Sequence, residues 1–157
     1  MACHVLIIGG EGDLAFRKLY PALYNLDIDG LLADETRIIC FGRGKYDEQS
    51  FSQEVVSWIR ASEYTECQGE AEQARFTNRL VHFVGDATQA DYYRQLQSVI
   101  GGDEFVIYLS TPPSIFSPIC LAMDKAGIVT PRTRIVIEKP LGESRETFEA
   151  VSYTHLR

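Results

Sequence analysis

Five short runs of apolar residues recur along the chain, separated by polar stretches of helical period. The runs are His4–Ile8, Arg37–Phe41, Leu80–Val84, Phe105–Leu109 and Arg134–Ile137. Each is nearly continuous rather than alternating, the pattern of a parallel strand covered on both faces. Between them the spacing predicts helices over Leu14–Leu26, Gln49–Ser62, Glu70–Asn78, Ala90–Ile100 and Ser114–Ala126, with another beginning at Ser144. Leu14, Leu19, Ala22, Leu23 and Leu26 fall along one stripe of the first helix, and Val55, Val56, Trp58 and Ile59 give the second its apolar contacts. Strand and helix alternating with right-handed crossovers predict an α/β fold, a doubly wound parallel sheet of the Rossmann type. The polar segment Ser62–Asn78 is expected to be a surface excursion between the second and third strands. The helix at Ser144 has only begun when it meets VSYTHLR. Residues 1–150 are therefore read as a domain fragment lacking its last strand, and residues 151–157 as a foreign tail.

Composition narrows the partners. The chain has 157 residues, 45% of them hydrophobic and 24% charged, and carries a net charge of -7. That balance argues against nucleic acid or an anionic membrane as a partner. An anionic metabolite stays open, because a small site can be basic on an acidic protein. No apolar run approaches the roughly 18 residues of a membrane span, and the N-terminus carries no basic segment or signal peptide, so the cytoplasm is expected. The four cysteines (Cys3, Cys40, Cys67, Cys120) include no C-x-x-C pair. Cys3 and Cys40 read as small buried hydrophobes, and neither metal sites nor disulfides are expected.

The first junction, GGEGDLAFRKLYPALY, carries the strongest chemical signal. Gly9, Gly12 and Ala15 form G-x-x-G-x-x-A between the first strand and the first helix. Small residues there let the backbone approach a pyrophosphate, which the helix N-terminus attracts. Two acids complicate this reading. Asp13, at the helix start, is expected to cap free amides. Glu11 has two orientations open to it: its side chain can point to solvent while its amide faces the ligand, or turn inward and repel a phosphate by about 1 kcal/mol at a wet site. Arg17 and Lys18 follow and partly offset these charges.

Other strand ends sharpen the ligand. In this fold an acid ending the second strand holds a ribose 2′-hydroxyl, whereas an arginine accommodates a 2′-phosphate. Here the strand ends in Phe41-Gly42-Arg43-Gly44-Lys45, and the first acid is Asp47. Arg43 is thus the expected reader of NADP, with Lys45 as helper. The fourth strand runs into Ser110-Thr111-Pro112-Pro113-Ser114, where two prolines preset the turn and Ser114 is placed to cap the next helix. The fifth delivers Glu138-Lys139-Pro140, with Lys139 in reach of an anionic substrate or a carbonyl oxygen and a Lys–Pro bond able to populate the cis form.

Taken together, GGEGDLAFRKLYPALYNL, FGRG, YLSTPPSIF and RIVIEKPLG resemble the N-terminal coenzyme domain of the glucose-6-phosphate dehydrogenases, from about His4 to Ala150. The family's turn is commonly G-A-S/T-G-D-L-A, so Gly9, Gly12, Asp13, Leu14 and Ala15 match, and Glu11 departs from it. The resemblance implies NADP as coenzyme, with NAD also usable, and glucose 6-phosphate as substrate. It implies that Arg43 binds the 2′-phosphate and that Pro112 and Pro113 line the nicotinamide side. Lys18 and Lys139 would contact the sugar phosphate, and Lys139 the coenzyme as well. In that family a histidine base removes the C1 hydroxyl proton while hydride passes to NADP. The base lies in an R-I-D-H-Y-L-G-K-E motif that this sequence lacks. His155 matches none of that motif, and His4 and His82 read as structural. The resemblance therefore implies a homo-oligomeric parent enzyme, with a C-terminal catalytic domain absent here and a fragment without turnover. Two rivals are a sugar oxidoreductase like glucose–fructose oxidoreductase, which also carries Glu-Lys-Pro, and a non-catalytic NADP-binding module.

Overall fold

A computed structural model describes residues 3–65, 69–101 and 104–137. Within them lie five parallel strands: β1 (Cys3–Ile8), β2 (Ile38–Gly42), β3 (Leu80–Val84), β4 (Glu104–Leu109) and β5 (Arg134–Ile137). Their order across the sheet is β3-β2-β1-β4-β5, so the chain winds outward in both directions from β1. Ile7 pairs with Cys40 on one side and with Tyr108 on the other, which places the C-terminal ends of the three central strands along one edge.

Every strand residue of β1 and β2 except Cys3 is buried, because each face of the sheet has its own helical layer. Leu6, Ile8, Ile39, Phe41, Ile107 and Leu109 pack with Tyr93, Leu96, Phe116, Ile119 and Met123 of α4 (Ala90–Ile100) and α5 (Phe116–Ala126). Val5, Ile7, Ile38 and Cys40 pack on the other face. There they meet α1 (Tyr20–Ile28), α2 (Glu48–Ala61) and α3 (Glu70–Thr77) through Tyr20, Tyr24, Phe51, Val55, Ile59 and Phe76. This period-2 division between two layers is the reason the strands read as continuous apolar runs.

Several local expectations change. The first helix opens with a π-helical segment, Ala15–Leu19, before α1 begins at Tyr20. The wider turn rotates the downstream register, so Tyr20, Leu23 and Tyr24 are buried while Ala22 and Leu26 of the expected stripe are exposed. Helix α2 starts on a reciprocal cap, with Asp47 accepting from the Ser50 amide at 2.8 Å and Ser50 Oγ accepting from the Asp47 amide at 3.0 Å. Ser114 does not cap α5; it sits inside a 3₁₀ turn, Pro113–Ile115, that the two prolines set. The excursion before β3 contains α3, which drives Phe76 into the core.

An ion cluster beneath this layer had no sequence signal. Asp27, its side chain 2% exposed, lies 2.9 Å from Arg79 and 3.2 Å from Arg75. Arg79 also donates to the carbonyls of Thr36 and Leu32 at 3.1 and 3.4 Å, tying the α1–β2 connection to the start of β3. The buried thiols are inert: burial pushes both Cys40 and Cys120 up to about 12. No helix among the described residues is long and apolar enough to cross a membrane.

Candidate dinucleotide site

At the C-terminal edge of the sheet a cleft of about 390 Å³ opens between three strand ends. Gly9, Glu11 and Gly12 come from the turn after β1, Gly42, Arg43 and Lys45 from the end of β2, and Ser110, Thr111 and Pro112 from the end of β4. This is the crevice where strand order reverses, the place at which open parallel sheets bind ligands. A larger groove of about 490 Å³ runs along the outer flank of α2, past Ser52, Val56 and Arg60 to Thr77, remote from the strand ends.

The turn after β1 is held tightly. Gly9 and Gly10 both donate to the Phe41 carbonyl, at 3.0 and 3.3 Å, and the Tyr20 hydroxyl donates to the Gly10 carbonyl at 2.7 Å. Gly9 takes φ +84°, and a Cβ there would stand 2.5 Å from the Ser110 carbonyl oxygen, so β1 and β4 meet at a place only glycine fills. The first amides of a helix have no intrahelical partner and are donors open to an anion.

Ser110 and Thr111 line the cleft. Their hydroxyls are buried and have no hydrogen-bond partner among the described residues. Buried polar atoms are nearly always satisfied, so two orphans beside a glycine turn fit a ligand with oxygen acceptors such as a dinucleotide. In the sequence the two prolines are what mark this turn; a hydroxyl's lack of partners is invisible until the neighbours are placed.

The expected site residues separate into two groups. Gly9, Gly12, Arg43, Lys45 and Pro112 converge on the cleft. Arg43 is exposed, and its charge helps hold the Asp86 carboxyl below the usual range, behind the larger effect of the Thr88 hydrogen bonds. Asp13, Leu14, Ala15, Lys18 and Pro113 do not line the cleft. Asp13 makes no capping hydrogen bond; it is exposed and lies 3.6 Å from Arg17, one turn on. Ala15 is fully buried against the sheet, so its small size serves helix–strand packing rather than ligand approach. Lys18 is exposed on the π-helical segment. Lys139, with Glu138 and Pro140, lies outside the described residues, as do the helix from Ser144 and the tail with His155.

Of the two orientations open to Glu11, the structure takes the inward one. Glu11 is 8% exposed, and its carboxylate crosses to the β2 end, accepting from the amides of Gly44, Lys45 and Tyr46 at 2.9, 3.1 and 3.0 Å. His82 of β3, its side chain 4% exposed, donates from Nε2 at 2.9 Å and stacks on Phe51. Burial opposes the charge, but the hydrogen bonds from His82 and the three amides outweigh it and hold the Glu11 carboxyl below its ordinary range. His82 is thus structural, as expected, through a partner 71 residues away.

Comparison with known proteins agrees with this geometry. The family described as glucose-6-phosphate dehydrogenase, NAD binding domain, matches residues 6–155. Glucose-6-phosphate 1-dehydrogenase of Zymomonas mobilis is 36% identical over 141 residues, covering 88% of this chain and 29% of the relative. That of Mycolicibacterium smegmatis is 34% identical over 157 residues, covering 96% and 32%. The chain therefore spans under a third of the length of these curated relatives. The crystal structure of the Mycobacterium avium glucose-6-phosphate 1-dehydrogenase superposes with a TM-score of 0.83 at 28% identity, covering 99% of this chain and 34% of that one. A glucose-6-phosphate dehydrogenase in complex with glucose 6-phosphate shares the fold, with a TM-score of 0.78 at 22% identity over 98% of this chain and 33% of that one. Fold, cleft and sequence agree that the chain belongs to the glucose-6-phosphate dehydrogenase family, as its nicotinamide-dinucleotide-binding domain.

Proposed function

We propose that this chain is the coenzyme-binding part of an NADP-using glucose-6-phosphate dehydrogenase, which oxidises the C1 hydroxyl of glucose 6-phosphate to the lactone. The observation that carries this reading is the cleft itself, lined by a glycine turn, an arginine and the Ser110-Thr111 turn at the end of β4. In this proposal the turn at Gly9–Gly12 and the helix amides bind the pyrophosphate, and Arg43 pairs with the 2′-phosphate. Ser110 and Thr111 satisfy their hydroxyls on coenzyme oxygens, and Pro112 and Pro113 shape the nicotinamide side. When bound, the nicotinamide supplies the hydride acceptor. Lys18 and Lys139 hold the sugar phosphate, and the proton acceptor lies in sequence beyond this domain. We place the parent enzyme in the cytoplasm as a homo-oligomer.

The test is a calorimetric titration of the chain with NADP and with NAD, repeated on Arg43→Ala. The expected result is a fall of at least tenfold in NADP affinity, with NAD changed less than threefold. An unchanged preference would remove Arg43 from its role. The same chain is expected to show no turnover of glucose 6-phosphate, and activity above blank would refute that.

A further inference from the structure

We propose that Glu11 is a coenzyme-specificity residue: its carboxylate fills the anion site at the end of β2 and narrows the advantage that Arg43 gives to NADP, so that NAD competes. This inference rests on the dinucleotide reading above and adds a second, opposing charge to it.

Three consecutive amides, those of Gly44, Lys45 and Tyr46, converge on one point at 2.9 to 3.1 Å. Such a run of donors is an anion-binding concavity. The His82 imidazole closes it from β3 at 2.9 Å. A carboxylate offers about four acceptor positions, and Glu11 spends them on these four donors, Oε1 on Gly44 and Lys45, Oε2 on Tyr46 and His82. The nest is therefore occupied by the chain's own anion. That anion lies over Gly42, where an added Cβ would run into the Glu11 carboxyl group. Gly42 ends β2, the strand whose end meets the ribose 2′ substituent in this fold. A 2′-phosphate drawn to Arg43 must settle beside this fixed negative charge, while its natural backbone donors are already taken. A 2′-hydroxyl carries no charge and meets no such opposition.

A phosphate monoester carries about -1.5 to -2 at neutral pH, so the fixed carboxylate opposes a 2′-phosphate by a Coulomb repulsion that a hydroxyl does not meet. The expected discrimination against NADP is therefore about tenfold. The effect falls on the ratio of affinities rather than on binding as such. A purely structural Glu11 would act differently. It would hold the loop that carries Arg43, and its removal would weaken NADP first.

The experiment is calorimetric titration of wild type, Glu11→Gln and Glu11→Thr with NADP and NAD at low and at physiological salt. The expected wild-type affinities lie within about tenfold of each other. Both variants should move the ratio about tenfold toward NADP, with NAD changed less than threefold, and low salt should enlarge the wild-type penalty. A wild-type preference for NADP beyond a hundredfold would overturn the inference without any variant. A ratio that stays put, or moves toward NAD, overturns it too and assigns Glu11 to loop positioning alone. Failure of the wild type to bind either coenzyme would overturn the dinucleotide reading and this inference together.

Discussion

Replacing Gly9 by alanine tests the junction on which the cleft is built. Gly9 has φ +84°, a conformation in which a β-carbon costs about 1–2 kcal/mol. The added methyl would also lie 2.5 Å from the Ser110 carbonyl oxygen and 2.9 Å from Thr111 Cγ2. The first of these is backbone at the end of a central strand and cannot rotate aside, so β1 and β4 must part, at an overpacking cost of about 1–3 kcal/mol. The sum, about 2–5 kcal/mol, is a large share of the 5–15 kcal/mol typical of a domain. Gly12→Ala is the control. Its nearest obstruction is the Gly9 carbonyl oxygen at 3.2 Å and its φ is not positive, so it should unfold within about 0.5 kcal/mol of wild type. It should still lose coenzyme affinity, because its methyl enters the cleft. Urea unfolding followed by circular dichroism reads both, and Gly9→Ala should lower the midpoint by about 1–2 M. A Gly9→Ala protein within 0.5 kcal/mol of wild type would refute the claim that β1 and β4 meet too closely for a side chain.

Two further outcomes follow from the buried charges. Glu11 has a folded carboxyl below its ordinary value of 4.5, so the unfolded chain binds more protons in acid; its contribution is present above about 4.5 and is lost as pH falls through the folded value. Urea midpoints measured from pH 6 to pH 3 should show a shallower acid decline in Glu11→Gln than in wild type, and parallel curves would contradict this. Arg79→Met should destabilise by about 3 kcal/mol, because Asp27 is left buried with only the half-exposed Arg75. A loss under 1 kcal/mol in thermal or urea unfolding would show that the cluster is not stabilising.

The strands, their parallel direction and the glycine turn were legible in sequence because each depends on neighbours within one strand or one helical turn. Near-continuous apolar runs such as VLII and IICF require cover on both faces, and two helical layers provide it. Arg43 could be placed by counting from the end of β2, because strand ends in a parallel sheet share one edge. Long-range partners could not be placed that way. Glu11 reaches amides 33 to 35 residues on and an imidazole 71 residues on, and no local pattern states which way a turn carboxylate will point. Asp27 and Arg79 stand 52 residues apart in the chain and meet only because α1 and β3 are brought together beneath the sheet. The π-helical segment, which buries Ala15 and Tyr20 and exposes Leu26, follows from the fit of the first helix to the β1–β2 surface rather than from its period. Sequence by itself determined that a dinucleotide cleft with an arginine at its β2 end would form. Only the tertiary structure decided that a carboxylate would fill the amide nest beside that arginine, because which donors are free and which are taken depends on what the fold has already placed against them.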